Sequence, residues 1–205
     1  MRIIDNIEQQ IRQSEAGSLF FVSDFATSGN DVFISRVLSE FVDAELLYRL
    51  AKGVYYKPVK TRLGVLYPEV PEIVKAIARR DNAQVLPTGE TAQNMLGLST
   101  QMPMNYIYLT SGSARKLTIG PKTITFKRCV PKNFACKNEF LAILIQALKS
   151  IGQDRVTDEH RIIIKGLLKN NLPIVSLEED LKTAPVWARR IIANIAKEIE
   201  NEKMD

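Results

Sequence analysis

Cysteine and histidine are nearly absent from this 205-residue chain, which has two of the former, Cys129 and Cys136, and one of the latter, His160. Two thiols are too few for a secreted disulfide scaffold of this size and fit a reducing cytosol. With no second Cys or His pair near them they cannot assemble a zinc site, so buried structural thiols are the expected role. Nucleophilic hydrolysis needs a base beside the nucleophile, most often histidine. His160 instead sits in a charged helical run, Asp158-Glu159-His160-Arg161, where a solvated side chain is expected. The glycines form neither a Gly-x-Gly-x-x-Gly nor a P-loop pattern, and Pro87-Thr88-Gly89-Glu90 reads as a strand-to-helix turn. Glu178-Glu179-Asp180 falls at a helix start, where the dipole favours carboxylates. No catalytic constellation, metal site or cofactor is expected, and the chain reads as non-enzymatic.

Long apolar runs are missing too. The longest, at residues 140–148, is interrupted by Gln146 and falls far short of the roughly 20 residues a membrane span needs. Met1-Arg2-Ile3-Ile4-Asp5 carries charge and no apolar core, so no signal peptide is expected. A cytoplasmic protein with no membrane partner is the expectation.

What is present is a 45% apolar content, enough for one or two packed domains, and a net charge of +5 that is unevenly placed. Residues 1–60 carry seven Lys/Arg against eight Asp/Glu, residues 61–135 ten against four, and residues 136–205 eleven against eleven. Arg115, Lys116, Lys122, Lys127, Arg128 and Lys132 follow one another with no acidic residue among them. A field of one sign attracts polyanions, nucleic acid first among them.

Periodicity supplies the elements. Ile3, Ile4, Ile7 and Ile11 at helical spacing predict a helix over 2–14. A short apolar burst at 18–22 precedes a one- or two-turn helix opened by Ser23-Asp24 and stopped at Ser28-Gly29. Asn30 or Asp31 can cap a third helix running to about Asp43, with Phe33, Ile34, Val37, Leu38, Phe41 and Val42 as its apolar stripe. The β-rich runs 46–50 and 54–56 flank Ala51-Lys52-Gly53, a hairpin signal. Helix, short helix, helix, hairpin is the order of a winged helix-turn-helix. Residues 58–64 read as a linker. Helices are expected at 71–80, at 88–95 with Thr88 as cap, and at 135–151, 157–169, 176–183 and 185–201. Strands are expected at 84–87, 105–110, 116–119 and 123–128. The predicted fold class is α+β: a winged helix-turn-helix over 1–58, then a mixed α/β domain over 59–205 with a helical C-terminus.

In such a fold the third helix enters a groove and wing cations touch phosphate. The candidate DNA contacts are Asn30, Ser35, Arg36 and Ser39 on the helix and Lys52, Tyr55 and Lys57 on the wing. Arg115, Lys116, Lys122, Lys127 and Arg128 on the later hairpin would add phosphate contacts. Tyr55 and Tyr56 alternate along a strand, so at least one of them belongs to the core. The acidic balance of residues 1–60 leaves a protein-interaction role for the same fold open.

Leu50-Ala51-Lys52-Gly53-Val54-Tyr55-Tyr56-Lys57-Pro58 resembles the N-terminal domain of AbiEi-like antitoxins from abortive-infection, or type IV, toxin–antitoxin systems. Later segments are similar to the same group, among them Leu86-Pro87-Thr88-Gly89, Leu96-Gly97-Leu98-Ser99-Thr100-Gln101, Tyr108-Leu109-Thr110-Ser111-Gly112 and Ala184-Pro185-Val186-Trp187. The resemblance implies a winged-helix DNA-binding domain plus an α/β C-terminal domain. It also implies binding of operator DNA, repression of the chain's own operon, and neutralisation of a co-encoded nucleotidyltransferase-like toxin, a functional rather than a necessarily physical partner. Members of the group often carry arginines in the third helix where this chain has Ser35 and Glu40, and a glycine before the wing where it has Glu45.

Overall fold

The isoleucine periodicity opens the chain as α1 (Ile3–Gln13), with Ile7 and Ile11 fully buried and the polar positions between them facing water. The computed structural model describes residues 3–171 and 177–202, and Cα neighbours group them into two units. The first takes the chain up to Asn82 together with Leu117–Pro121; the second takes Ala83–Lys116 and the chain from Lys122 onward. The boundary expected at 58/59 therefore lies inside the first unit.

In the first unit the apolar burst forms β1 (Leu19–Phe21), followed by a 3-10 turn at Val22–Phe25. The Asp24 carboxylate accepts the Phe21 N–H at 2.8 Å, which fixes the entry to that turn. Burial pushes the Asp24 carboxyl up from its ordinary value. Asn30 then caps α2 (Asp31–Asp43) by accepting the Phe33 N–H at 2.8 Å, as its position in the sequence suggested. Ile34, Val37, Leu38 and Phe41 are buried along one side of α2. The hairpin is β2 (Tyr48–Ala51) and β3 (Val54–Tyr56), turned at Lys52-Gly53 where Gly53 takes φ +74. β1 pairs antiparallel with β3, Phe20 opposite Tyr55, which gives a sheet of order β1-β3-β2. Ile7, Ile11, Phe20, Phe25, the α2 stripe, Leu47 and Tyr55 form one core.

The stretch read as a linker is instead a second hairpin, β4 (Val59–Thr61) and β5 (Gly64–Leu66). Tyr56 holds it down, its hydroxyl donating to the Leu66 carbonyl and accepting the Val59 N–H. After it comes α3 (Val70–Arg80), with Pro71 in the first turn where its missing N–H costs no hydrogen bond.

The second unit carries β6 (Val85–Thr88), α4 (Glu90–Met95), β7 (Asn105–Thr110), the first two residues of β8 (Arg115–Ile119) and β9 (Lys122–Arg128). The sheet order is β6-β7-β9-β8, with β6 antiparallel and β9 parallel to β7. Thr88 is not the cap expected for α4. It ends β6, and Gly89 at φ +65 is the cap residue.

Helices α5 (Glu139–Ile151), α6 (Asp158–Asn171), α7 (Leu177–Leu181) and α8 (Val186–Asn201) follow. Ser176, where α7 was expected to start, lies outside the described residues. Every residue from Leu141 to Leu148 is buried, the signature of a helix enclosed on all sides. α5 packs against α4, β6, α7 and α8 and is the centre of the larger core. Among the described residues no helix is long and apolar enough to cross a membrane.

α6 and α8 are joined at the surface by Lys165, which meets Glu202 at 2.6 Å and Glu198 at 3.2 Å, while Lys169 meets Glu202 at 2.8 Å. Hydrogen bonds from Lys165 and Lys169 hold the Glu202 carboxyl at about 2, below the usual carboxylate range. A depressed carboxyl adds stability above its unfolded pKa of about 4.3, and that contribution is lost as pH falls toward the folded value. The pair is exposed and screened, so the effect on stability is small. The titration itself is readable by carboxyl NMR: Glu202 should titrate near 2 in the native chain and move toward the ordinary range in Lys165→Met. An ordinary Glu202 titration in the native chain would mean the network does not form.

Candidate nucleic-acid interface

Because α2 buries one side, its other side is presented to water. At about 100° per residue, Val32, Ser35, Arg36 and Ser39 fall on one face. Val32 is 82% exposed, an apolar side chain left in solvent at the first turn of the helix. The Arg36 side chain is 80% exposed and meets Glu40 at 3.1 Å. An exposed i,i+4 pair of this kind is worth roughly 0.3–0.5 kcal/mol, so a phosphate can draw Arg36 away at little cost. Ser39 donates to the Ser35 carbonyl at 2.8 Å, and both serines are half-buried. The Asn30 carbonyl oxygen is spent on the Phe33 N–H, so Asn30 caps the helix first and could meet a ligand only through its amide nitrogen.

On the hairpin the candidates separate. Lys52 is exposed at the turn. Tyr55 is 1% exposed and belongs to the core, and Tyr56 is equally buried. Tyr55 therefore cannot touch a ligand. Tyr55 packs into the core with α1 and α2, while Tyr56 is held against Leu66 and Tyr67, so both faces of the strand are covered and alternation leaves neither tyrosine outside. Lys57 is also corrected: its ammonium donates to the Arg12 and Ser14 carbonyls at 2.8 and 2.6 Å and closes the C-terminal end of α1.

Val32 and Arg49 were missed. Val32 is an apolar residue off the apolar stripe, a signal available in the sequence. Arg49 is an exposed cation on β2, the strand that leads to Lys52. Glu45, where the resembling group often has glycine, takes φ +55. Left-handed backbone costs a side-chain-bearing residue about 1–2 kcal/mol, and the 3.9 Å pair of Glu45 with Lys60 is exposed. Glu45→Gly should raise stability by about 1 kcal/mol, read as a higher urea midpoint. A lower midpoint would show the pair outweighs the strain.

The basic run of the second unit does not make one surface. Arg115 lies over the Phe126 ring at 6.0 Å, so it shares a sheet face with Phe126. Strand alternation places Lys122 and Arg128 on that face of β9, and Lys127 on the other, in register with Leu109. Lys116, next to Arg115, is turned to the opposite face as well. Cations adjacent in sequence are therefore divided between the two sides.

Among the described residues no group of three His, Cys, Asp or Glu could hold a metal. His160 Nδ1 accepts the Thr157 N–H at 3.1 Å at the start of α6. Both cysteines are free and half-buried, and burial pushes the Cys136 thiol up to about 11, which keeps it protonated.

The described geometry is that of an α+β chain whose first unit has exposed residues along one side of α2 and an exposed cation, Lys52, at the β2–β3 turn. The chain belongs to a family of unknown function, DUF6088, whose model matches residues 6–174. No curated protein matches the sequence.

Proposed function

We propose that the first unit is a winged helix-turn-helix that sets α2 in the major groove of duplex DNA with β2–β3 as its wing. We further propose that the chain is the antitoxin and autorepressor of a type IV toxin–antitoxin pair, neutralising a co-encoded nucleotidyltransferase-like toxin. The observation that carries the DNA reading is the solvent-facing side of α2, with Val32 and Arg36 exposed and Ser35 and Ser39 half-buried, together with the exposed Lys52 at the hairpin turn. The order helix, strand, short helix, helix, hairpin supports it, as does pairing of β1 to the returning strand of the hairpin. An exposed valine suits a thymine methyl, serines suit base edges or phosphate, and Arg36 suits guanine or phosphate. The antitoxin part rests on the ordered motifs shared with the AbiEi-like group.

Fluorescence anisotropy with the DNA upstream of the reading frame tests the first part. Arg36→Ala and Lys52→Ala should each weaken binding about tenfold. Co-expression with the adjacent reading frame tests the second: a nucleotidyltransferase-like neighbour should arrest growth alone and spare it when this chain is present. Arrest in both cases would leave a stand-alone regulator.

The second-unit cations give a sharper expectation. Lys122 and Lys127 lie on opposite faces, so a single duplex reaches one of them. Removing both should change the slope of log affinity against log salt by about one unit, not two. A change of two units would require both faces to meet DNA.

One observation favours a protein partner instead: Asp31, Glu40 and Asp43 on α2 outnumber Arg36. On that reading upstream DNA would not shift the chain at any salt concentration.

A further inference from the structure

The second unit holds a cavity of about 290 Å³ in which no lining residue is acidic. Its floor is one side of α5, formed by Ala142, Ile145 and Gln146. Lys149 continues that side to the rim, where Lys132 and Lys182 join it from the loops flanking α5 and α7. Among the described residues none of these three lysines makes an ion pair. Burial, and then the nearby Lys132 charge, lower the Lys149 ammonium from its ordinary value. All three lysines are exposed, and the closeness of Lys132 to Lys149 leaves a local excess of positive charge that an anion would offset.

Gln146 supplies a second, independent observation. It is 6% exposed, the one buried polar side chain in a helix that is otherwise apolar from Leu141 to Leu148. Its carbonyl oxygen accepts the Thr88 hydroxyl at 3.2 Å, and its amide nitrogen has no partner among the described residues. Among the described residues only the Tyr108 hydroxyl is sealed from solvent without a partner, so the Gln146 nitrogen is open to the cavity it lines, where a ligand or water can complete it. The carboxylate that acts on Cys136 is that of Asp180, and it is already engaged by the N–H groups of Lys137 and Asn138.

We propose that this cavity binds a small phosphorylated organic molecule, with the phosphate among Lys132, Lys149 and Lys182 and the organic body on the α5 floor against Gln146. Three ammonium groups suit a phosphate monoester, which carries close to two negative charges at neutral pH, better than a carboxylate with one. The floor of Ala142 and Ile145 offers apolar contact that inorganic phosphate cannot use. The volume sits at the lower end of ligand sites, which limits the body to about one ring. The site is independent of the DNA reading.

Isothermal titration of the full chain at constant ionic strength, with phenyl phosphate and inorganic phosphate as probes, tests it. Phenyl phosphate should bind at least tenfold more tightly than inorganic phosphate. Lys149→Gln and Lys132→Gln should each weaken it at least tenfold, while Lys197→Gln, on α8 and outside the cavity, leaves it unchanged. NMR should show the Lys149 titration rising toward its ordinary value when phenyl phosphate is added. Binding no stronger than that of chloride would overturn the proposal. So would equal affinity for the two phosphates, which removes the organic body, or wild-type affinity in both lysine variants.

Discussion

Ser35→Glu should lower affinity for upstream DNA at least about 100-fold while leaving the fold intact. Ser35 flanks the buried stripe of α2 and is half-buried, and glutamate is a good helix former whose longer side chain reaches past it to solvent, so the substitution has little to disturb in the core. What changes is the charge presented to the groove. A carboxylate set against phosphate costs several kcal/mol through repulsion and lost solvation, and about 2.7 kcal/mol already corresponds to 100-fold. Ser35→Ala removes at most one hydrogen bond and should cost less than tenfold. The contrast separates repulsion at a DNA-facing site from a lost contact. Circular dichroism with an unchanged helix content, together with anisotropy curves that overlay the parent, would show that this face of α2 does not meet DNA.

The largest stability loss from a single polar side chain is expected at Asp180. It is 4% exposed, and its two carboxylate oxygens accept the Lys137 N–H at 2.7 Å and the Asn138 N–H at 3.1 Å. Asn138 is itself the cap of α5, accepting the Leu141 N–H at 2.9 Å. Asp180 thereby ties α7 to the start of the helix at the centre of the larger core. Hydrogen bonds to an ionised acceptor are worth roughly 1.5–3 kcal/mol, and donors left unpaired away from water cost a similar amount. Asp180→Ala should cost about 3 kcal/mol in urea unfolding. Asp180→Asn retains one carbonyl oxygen and should lose about half as much. A loss below about 1 kcal/mol for the alanine variant would mean water replaces the carboxylate freely.

How legible these features were depends on how local their causes are. Asn30, Gly53 and the stripe of α2 act within one helix or one turn, and their roles follow from spacing. The order of elements through the first hairpin was readable for the same reason. Tyr55 and Lys57 are different. One is buried because its strand lies on the core formed by α1 and α2, distant in sequence; the other turns back to the end of α1, more than forty residues away. Neither contact leaves a mark in the neighbouring sequence. The β4–β5 hairpin was missed because its strands are three residues long and largely exposed, so they show no buried alternation. The basic run was overread as one patch. Alternation along a strand sends neighbours to opposite faces, so consecutive cations such as Lys127 and Arg128 separate by construction. The lysine cavity was invisible because Lys132, Lys149 and Lys182 come from three parts of the chain.

The central claim is that α2 and the β2–β3 turn form the surface that meets DNA. Amide chemical-shift mapping by NMR, during titration with the upstream duplex at moderate salt, tests it most directly. The account predicts that the largest changes fall on residues 30–40 and 49–53, while the amides around Leu144 in α5 stay in place. Largest changes elsewhere in the chain, or none at saturating duplex, would contradict it.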